Sequence, residues 1–126
     1  MAGEKILIVE DNPLNMELVS DLLQVRGYQV IEATTGKQAL ELVRQHHPDL
    51  ILMDVQLPGL DGLAVTKMLK SDPATEDIIV VAITAHAMRG DEAKVYAAGC
   101  SAYIAKPIDT RELPRVVSRF LEKKQS

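Results

Sequence analysis

The chain has 126 residues, 47% hydrophobic and 25% charged, with a net charge of −4. That is the length of one domain and the balance of an ordinary globular protein, and the acidic excess argues against nucleic-acid binding through a broad basic surface. Aromatic residues make up 3% and Trp is absent, so the core must be aliphatic. No run approaches the ~20 apolar residues of a membrane span, and the amino terminus has neither a signal-peptide nor a myristoylation pattern. The single Cys100 cannot form an internal disulfide, which fits a reducing compartment; the expected location is cytoplasmic.

Strand-like and helical runs alternate five times. The first strand is predicted over residues 5–10. Asn12 can cap, and Pro13 open, a helix over 13–26, with Gly27 just beyond its end. A second strand follows over 28–33. Thr35 and Gln38 have capping-box spacing for a helix over 36–47, which Pro48 stops. The third strand, 50–54, is continuously apolar up to Asp54, as expected when both sheet faces are covered. A helix over 62–71 ends at the turn Ser71-Asp72-Pro73, and a strand over 78–84 follows. Gly99 closes a helix over 87–98, and the last strand spans 102–105. Thr110 is the expected cap of a final helix over 111–123, with fraying from Glu122 to Ser126. Pro114 falls where the intrahelical bonding ladder begins, so that helix should start late or with a distorted first turn. Such alternation implies a doubly wound α/β fold: right-handed crossovers and a parallel sheet with helices on both faces. There is no repeat or linker, so residues 1–126 are expected to form a single domain, core about 4–122, with no attached output domain.

Four strand ends carry chemistry. The first ends in Glu10-Asp11, the third in Asp54, the fourth in Thr84 and the fifth in Lys106-Pro107. In an open parallel sheet, ligands bind beyond the carboxyl ends of the strands, where the strand order reverses. Crowded carboxylates need a cation, and Mg²⁺ prefers a few carboxylates plus a phosphate (Mn²⁺ is the alternative ion). Asp54, already ionised near neutral pH, can attack phosphorus without a general base and form an acyl phosphate. Lys106 adds a mobile positive charge and Thr84 a hydroxyl donor, the parts phosphoryl transfer uses. Pro58, Gly59 and Gly62 are expected to leave the Asp54 carboxylate accessible.

Singly, these residues have plainer readings. Asp54 suits a turn, Glu10-Asp11 a helix amino terminus, Thr84 a strand end, and Lys106 and Pro107 a solvated loop. Their joint occurrence at four strand ends favours the functional reading. Cys100 reads as a small core residue, since no base adjoins it in sequence. His46-His47 reads as a favourable charge at a helix end, and Met16, Met53, Met68 and Met88 as packing residues. Tyr28 and Tyr96 have no assigned role.

With those residues in view, the chain resembles a response-regulator receiver domain of two-component phosphorelay signalling. The resemblance spans residues 4–122 and rests on ILIVEDN (Ile6 to Asn12), DLILMDVQLPGLDG (Asp49 to Gly62), Thr84-Ala85 and Lys106-Pro107. The stretch Thr84 to Pro107, with Met88, Gly90-Asp91-Glu92 and Gly99-Cys100, is particularly similar to stand-alone DivK-type single-domain regulators. This resemblance implies a flavodoxin-like five-stranded sheet of order 2-1-3-4-5, the order given for a receiver among general fold rules. It implies that Asp54 is phosphorylated to 4-aspartylphosphate by a histidine kinase or phosphotransfer protein. Asp11 and Asp54 would ligate Mg²⁺ directly, Glu10 through water, and Gln56 through its backbone carbonyl. Thr84 would bond a phosphoryl oxygen, Lys106 would pair with phosphate beside a cis peptide to Pro107, and Tyr103 would turn inward with Thr84. Gln56 and His86 would influence phosphate lifetime. Signalling would pass to a downstream protein through the fourth helix, fifth strand and fifth helix, with neither nucleic acid nor membrane as partner. No enzymatic activity is expected beyond the domain's own phosphotransfer and dephosphorylation.

Other classes fit less well. Haloacid-dehalogenase-like phosphatases place Asp-x-Asp after the first strand, and Asp11-Asn12-Pro13 lacks the second acid. A flavodoxin-like electron carrier needs a hydroxyl-rich phosphate loop where acids stand here, and no Walker-type glycine loop exists. A phosphorylation-independent adaptor built on the same fold is the remaining alternative.

Overall fold

Five apolar runs form five parallel strands in the computed structural model, which describes residues 3–85 and 91–125. In chain order the elements are β1 (Lys5–Val9), α1 (Pro13–Gln24), β2 (Gln29–Ala33), α2 (Gly36–His46), β3 (Leu50–Asp54), α3 (Gly62–Lys70), β4 (Ile79–Thr84), α4 (Asp91–Ala97), β5 (Ala102–Ala105) and α5 (Glu112–Gln125). The sheet order is β2-β1-β3-β4-β5. From β1 the chain steps outward to β2, then returns to place β3 on the other side of β1. Register carries the strand ends to one rim: Val9 lies opposite Ala33 and Met53, Asp54 opposite Ile83, and Thr84 opposite Ala105.

Alternation along each strand divides the core. Leu7, Val9, Ile51, Met53, Val80 and Ala82 face one layer with Val43 of α2, Val65 of α3 and Val95 of α4. Ile6, Ile8, Leu50, Leu52, Val81 and Ile83 face the other layer, with Val19 of α1 and Leu113 and Val117 of α5. Each fully buried aliphatic side chain stabilises the fold by about 1.5–3 kcal/mol relative to exposure, so the central strands are the least movable parts.

The helix ends explain the spacing between strands. The Asn12 side chain accepts from the amides of Leu14 and Asn15, ahead of Pro13 at the first helical position. Thr35 accepts from the Gln38 amide, while the Gln38 side chain returns to the Thr34 amide at 2.8 Å rather than to that of Thr35. His47, with φ at 45°, ends α2 one residue before Pro48. Thr110 does not cap α5. Asp109 does, accepting at its carboxylate from Arg111 N and Glu112 N and at its carbonyl from Leu113 N. It stands at the residue whose carbonyl takes the first bond, and the amides of Arg111 and Glu112 hold its carboxyl below the usual range. Pro114 has no N–H for the Thr110 carbonyl, which is why the regular helix begins only at Glu112. That helix continues through Gln125, past the expected fraying point.

The packing expectations hold for Met16, Met53 and Cys100 and fail for Met68. Met16 and Met53 are core residues, but Met68 is 49% exposed on α3. The part of the predicted fourth helix over 87–90, including Met88, lies outside the described residues, as does His86. Cys100 is buried with its sulfur 3.9 Å from Thr66 Oγ1, and burial pushes its thiol up.

Candidate functional site

The rim of the sheet brings Glu10, Asp11, Asp54 and Lys106 together. The backbone sets the acids: Glu10 and Asp11 follow β1, Asp54 ends β3, and β1 and β3 are hydrogen-bonded neighbours. One oxygen from each of the three carboxylates lies within 4.8 Å of the others. Lys106, one residue after β5, crosses to them through a backbone bond from its amide to the Thr84 carbonyl at 2.8 Å. Its Nζ stands 3.0 Å from Asp54 Oδ2 and 3.4 Å from Glu10 Oε1. The Lys106–Pro107 peptide is cis.

Gly62 seats Asp54. A Cβ there would lie 2.2 Å from the Asp54 carbonyl oxygen and 2.9 Å from Met53 Cγ, and its amide donates to the Val55 carbonyl at 3.2 Å. Only a residue without a side chain lets α3 begin so close to the end of β3. The loop does not leave Asp54 open, contrary to the sequence expectation. The residue is 1% exposed, with Gln56 N donating to Oδ1 at 2.9 Å and the Lys106 amine on Oδ2. The Lys106 amine therefore covers Oδ2 and the Gln56 amide Oδ1.

Glu10 is equally buried. Asn12 N donates to its Oε2 at 3.1 Å, while Oε1 faces the Lys106 ammonium at 3.4 Å without a formed hydrogen bond. Burial first, then the adjacent Asp54 carboxylate, push the Glu10 carboxyl from an ordinary 4.5 up to about 7, against the opposing pull of the Asn12 amide and Lys106. Burial pulls the Lys106 amine down, but Asp54 and Glu10 together outweigh it and raise it. Three carboxylates within 4.8 Å of one another, faced by a single ammonium, fit a hard cation with oxygen ligands, which would relieve what that ammonium offsets only in part. Asp11, exposed at the crevice mouth, leaves an open side toward solvent.

Thr84 ends β4, is 3% exposed, and lies one position beyond the Asp54–Ile83 pair. Gln56 lies beside Asp54 through its amide. Tyr103 is held at the surface, its hydroxyl donating to Glu92 Oε2 at 3.0 Å and its ring edge-to-face with Tyr96 at 6.1 Å. Sequence reasoning gave neither Glu92 nor Tyr96 a role. The two lie on α4 and Tyr103 on β5, and no periodicity signals a contact between a helix row and a strand residue. A groove of about 450 Å³ runs from Glu10 and Asp11 along α1 past Glu17, Asp21 and Glu32. No described helix is long and apolar enough to cross a membrane.

This arrangement can be set beside known proteins. Residues 6–118 match the response regulator receiver domain family. The chain is 50% identical over 118 residues to the polar-differentiation response regulators DivK of Brucella ovis and Brucella anthropi, covering 94% of this chain and 96% of each relative. The receiver domain of sensor histidine kinase PA1611 from Pseudomonas aeruginosa superposes with a TM-score of 0.88 at 36% identity, over 96% of this chain and 99% of that one. That protein is described with a magnesium ion coordinated in its active-site cleft. The signal receiver domain of a histidine kinase from Syntrophus aciditrophicus superposes at 0.89 with 32% identity, over 96% and 92% of the two chains. A match across most of the chain, in sequence and in fold, makes this protein a member of the response-regulator receiver domain family, of the DivK type.

Proposed function

We propose that Asp54 is the phosphoacceptor of a DivK-type regulator that receives its phosphoryl group from the phosphohistidine of a kinase or phosphotransfer protein. The observation carrying this reading is the convergence on Asp54 of two further acids and one ammonium, with Lys106 Nζ at 3.0 Å. An Asp54 carboxylate oxygen attacks phosphorus. The new P–O bond makes an acyl phosphate as the P–N bond to imidazole breaks, and the nitrogen keeps the electron pair and later takes a proton. The amide of Gln56, already on Oδ1, fixes the carboxylate's orientation and directs Oδ2 toward the side Lys106 covers. Lys106 then exchanges its carboxylate contact for one to the phosphoryl oxygens, and Thr84 supplies the second donor. Glu10, Asp11, Asp54 and the Gln56 carbonyl would hold Mg²⁺, which when bound neutralises charge on the phosphoryl group.

The added charge then biases Thr84 and Tyr103 toward the site. Shifting a 1:99 mixture to 99:1 takes roughly 5.5 kcal/mol, within reach of several charge-assisted bonds. The readout is the α4–β5–α5 surface, acting on a downstream protein. Incubation with acetyl phosphate and Mg²⁺ tests the site: the wild-type chain should take up one alkali-labile phosphate and Asp54→Asn none. Continued labelling of a folded Asp54→Asn protein would reject the assignment, and an unlabelled wild type would favour the phosphorylation-independent adaptor.

A further inference from the structure

Tyr103 is tied down by one face of α4. Its hydroxyl donates to Glu92 Oε2 at 3.0 Å, and its ring meets Tyr96 with centroids 6.1 Å apart and planes at 72°. Glu92 and Tyr96 are four residues apart in one helix, so both contacts come from the same row. The ring's inner edge rests against the core layer that contains Val95 and Cys100. Glu92, by this bond and by its charge, holds the Tyr103 phenol above its ordinary value, so the phenol keeps its proton and remains a donor. A side chain moves between staggered wells rather than through a continuum. Turning the ring to another well carries the hydroxyl several ångströms, so an inward Tyr103 cannot keep its bond to Glu92.

We propose that Glu92 is a positioning residue for the switch: its carboxylate, backed by the Tyr96 ring, holds Tyr103 outward in the unphosphorylated protein and sets the resting activity. The proposal rests on the switching role given to Tyr103 above. It adds that the resting population is fixed on α4, remote from the phosphoryl chemistry. A hydrogen bond to a charged acceptor at an exposed position, when removed, should raise the activated fraction of the resting protein about five-fold.

The test uses the full chain and follows the backbone amide resonances of residues 102–105. In wild type, acetyl phosphate with Mg²⁺ should move them from a resting to an activated position. Glu92→Ala, without phosphodonor, should already lie part of the way along that line. Glu92→Gln, whose amide oxygen still accepts from the phenol, should stay near wild type. In a Tyr103→Phe background Glu92→Ala should have no effect, whereas a general loosening of α4 would act there equally. An unmoved Glu92→Ala spectrum in a protein that still takes up phosphate overturns the inference alone, and so does an equal shift in the Tyr103→Phe background. A wild type that takes up no phosphate defeats the functional reading first.

Discussion

The acidic rim and the α4–β5 surface belong to the same sheet but hold their side chains by opposite means. At the rim, Glu10 and Asp54 are each 1% exposed, and Asn12, Gln56 and Lys106 contribute contacts between 2.9 and 3.4 Å. Like charges are forced together there, and any change in charge is felt in a medium that screens poorly. At the α4–β5 surface, a single exposed hydrogen bond and one ring contact hold Tyr103. Such contacts are worth about 1 kcal/mol each. The surface arrangement is therefore the easier of the two to overturn. The rim is held by charge that its surroundings screen poorly, and the surface by two weak contacts.

The largest expected effect breaks the rim by geometry. Gly62→Ala places a methyl 2.2 Å from the Asp54 carbonyl, against backbone that cannot yield. A loss of about 3 kcal/mol in urea unfolding is expected, at the upper end for overpacking. Gly59→Ala is the control, because nothing lies within 4 Å of its added Cβ and only its φ of +75° resists substitution. That strain costs about 1 kcal/mol. Equal losses at the two glycines would mean that loop conformation, rather than close packing on Asp54, governs the rim.

The next effect concerns charge. In the metal-free protein Glu10 has its carboxyl raised from 4.5 to about 7, so the fold favours the protonated form. Its contribution to stability is fully present below pH 4.5 and is lost as pH rises through 7, by up to on the order of 3 kcal/mol. Glu10→Gln should remove that slope. In the presence of a chelator it should be more stable than wild type at pH 8 and nearly equal at pH 4.5. Added Mg²⁺ should stabilise wild type more than the variant. Parallel denaturation curves for the two proteins across this range would show that the rim carries no charge conflict.

How much of this was legible in the sequence follows from the same contrast. The rim residues sit at the ends of continuous apolar strands, so counting along the chain finds Glu10, Asp11, Asp54, Thr84 and Lys106. Parallel pairing then brings their backbones to one edge. Strand and helix order was readable for the same reason, and Pro114 announced its own distortion. The burial of Asp54 was not readable, because it depends on how far Lys106 reaches across from β5. Neither was the cap at Asp109, where two candidate residues adjoin and only the backbone path chooses between them. Glu92 escaped entirely: its partner is eleven residues on, across a helix–strand turn, with no repeat to mark it.

The smallest effect separates chemistry from readout. Cys100 stands just before β5, 5% exposed, beneath the surface that Tyr103 shares. Its sulfur faces the Thr66 hydroxyl at 3.9 Å, and burial keeps the thiol protonated, the opposite of what a nucleophile needs. Cys100→Ser puts a hydroxyl in its place with Thr66 as the available partner, so a loss of about 1 kcal/mol in stability is expected. Phosphate uptake from acetyl phosphate should be unchanged in rate and extent. A folded Cys100→Ser protein that no longer takes up phosphate would place acceptor chemistry behind the α4–β5 surface as well as at the rim. The division of labour between the two regions would then be wrong, because a surface that only reports a change at Asp54 has no use for a nucleophile of its own.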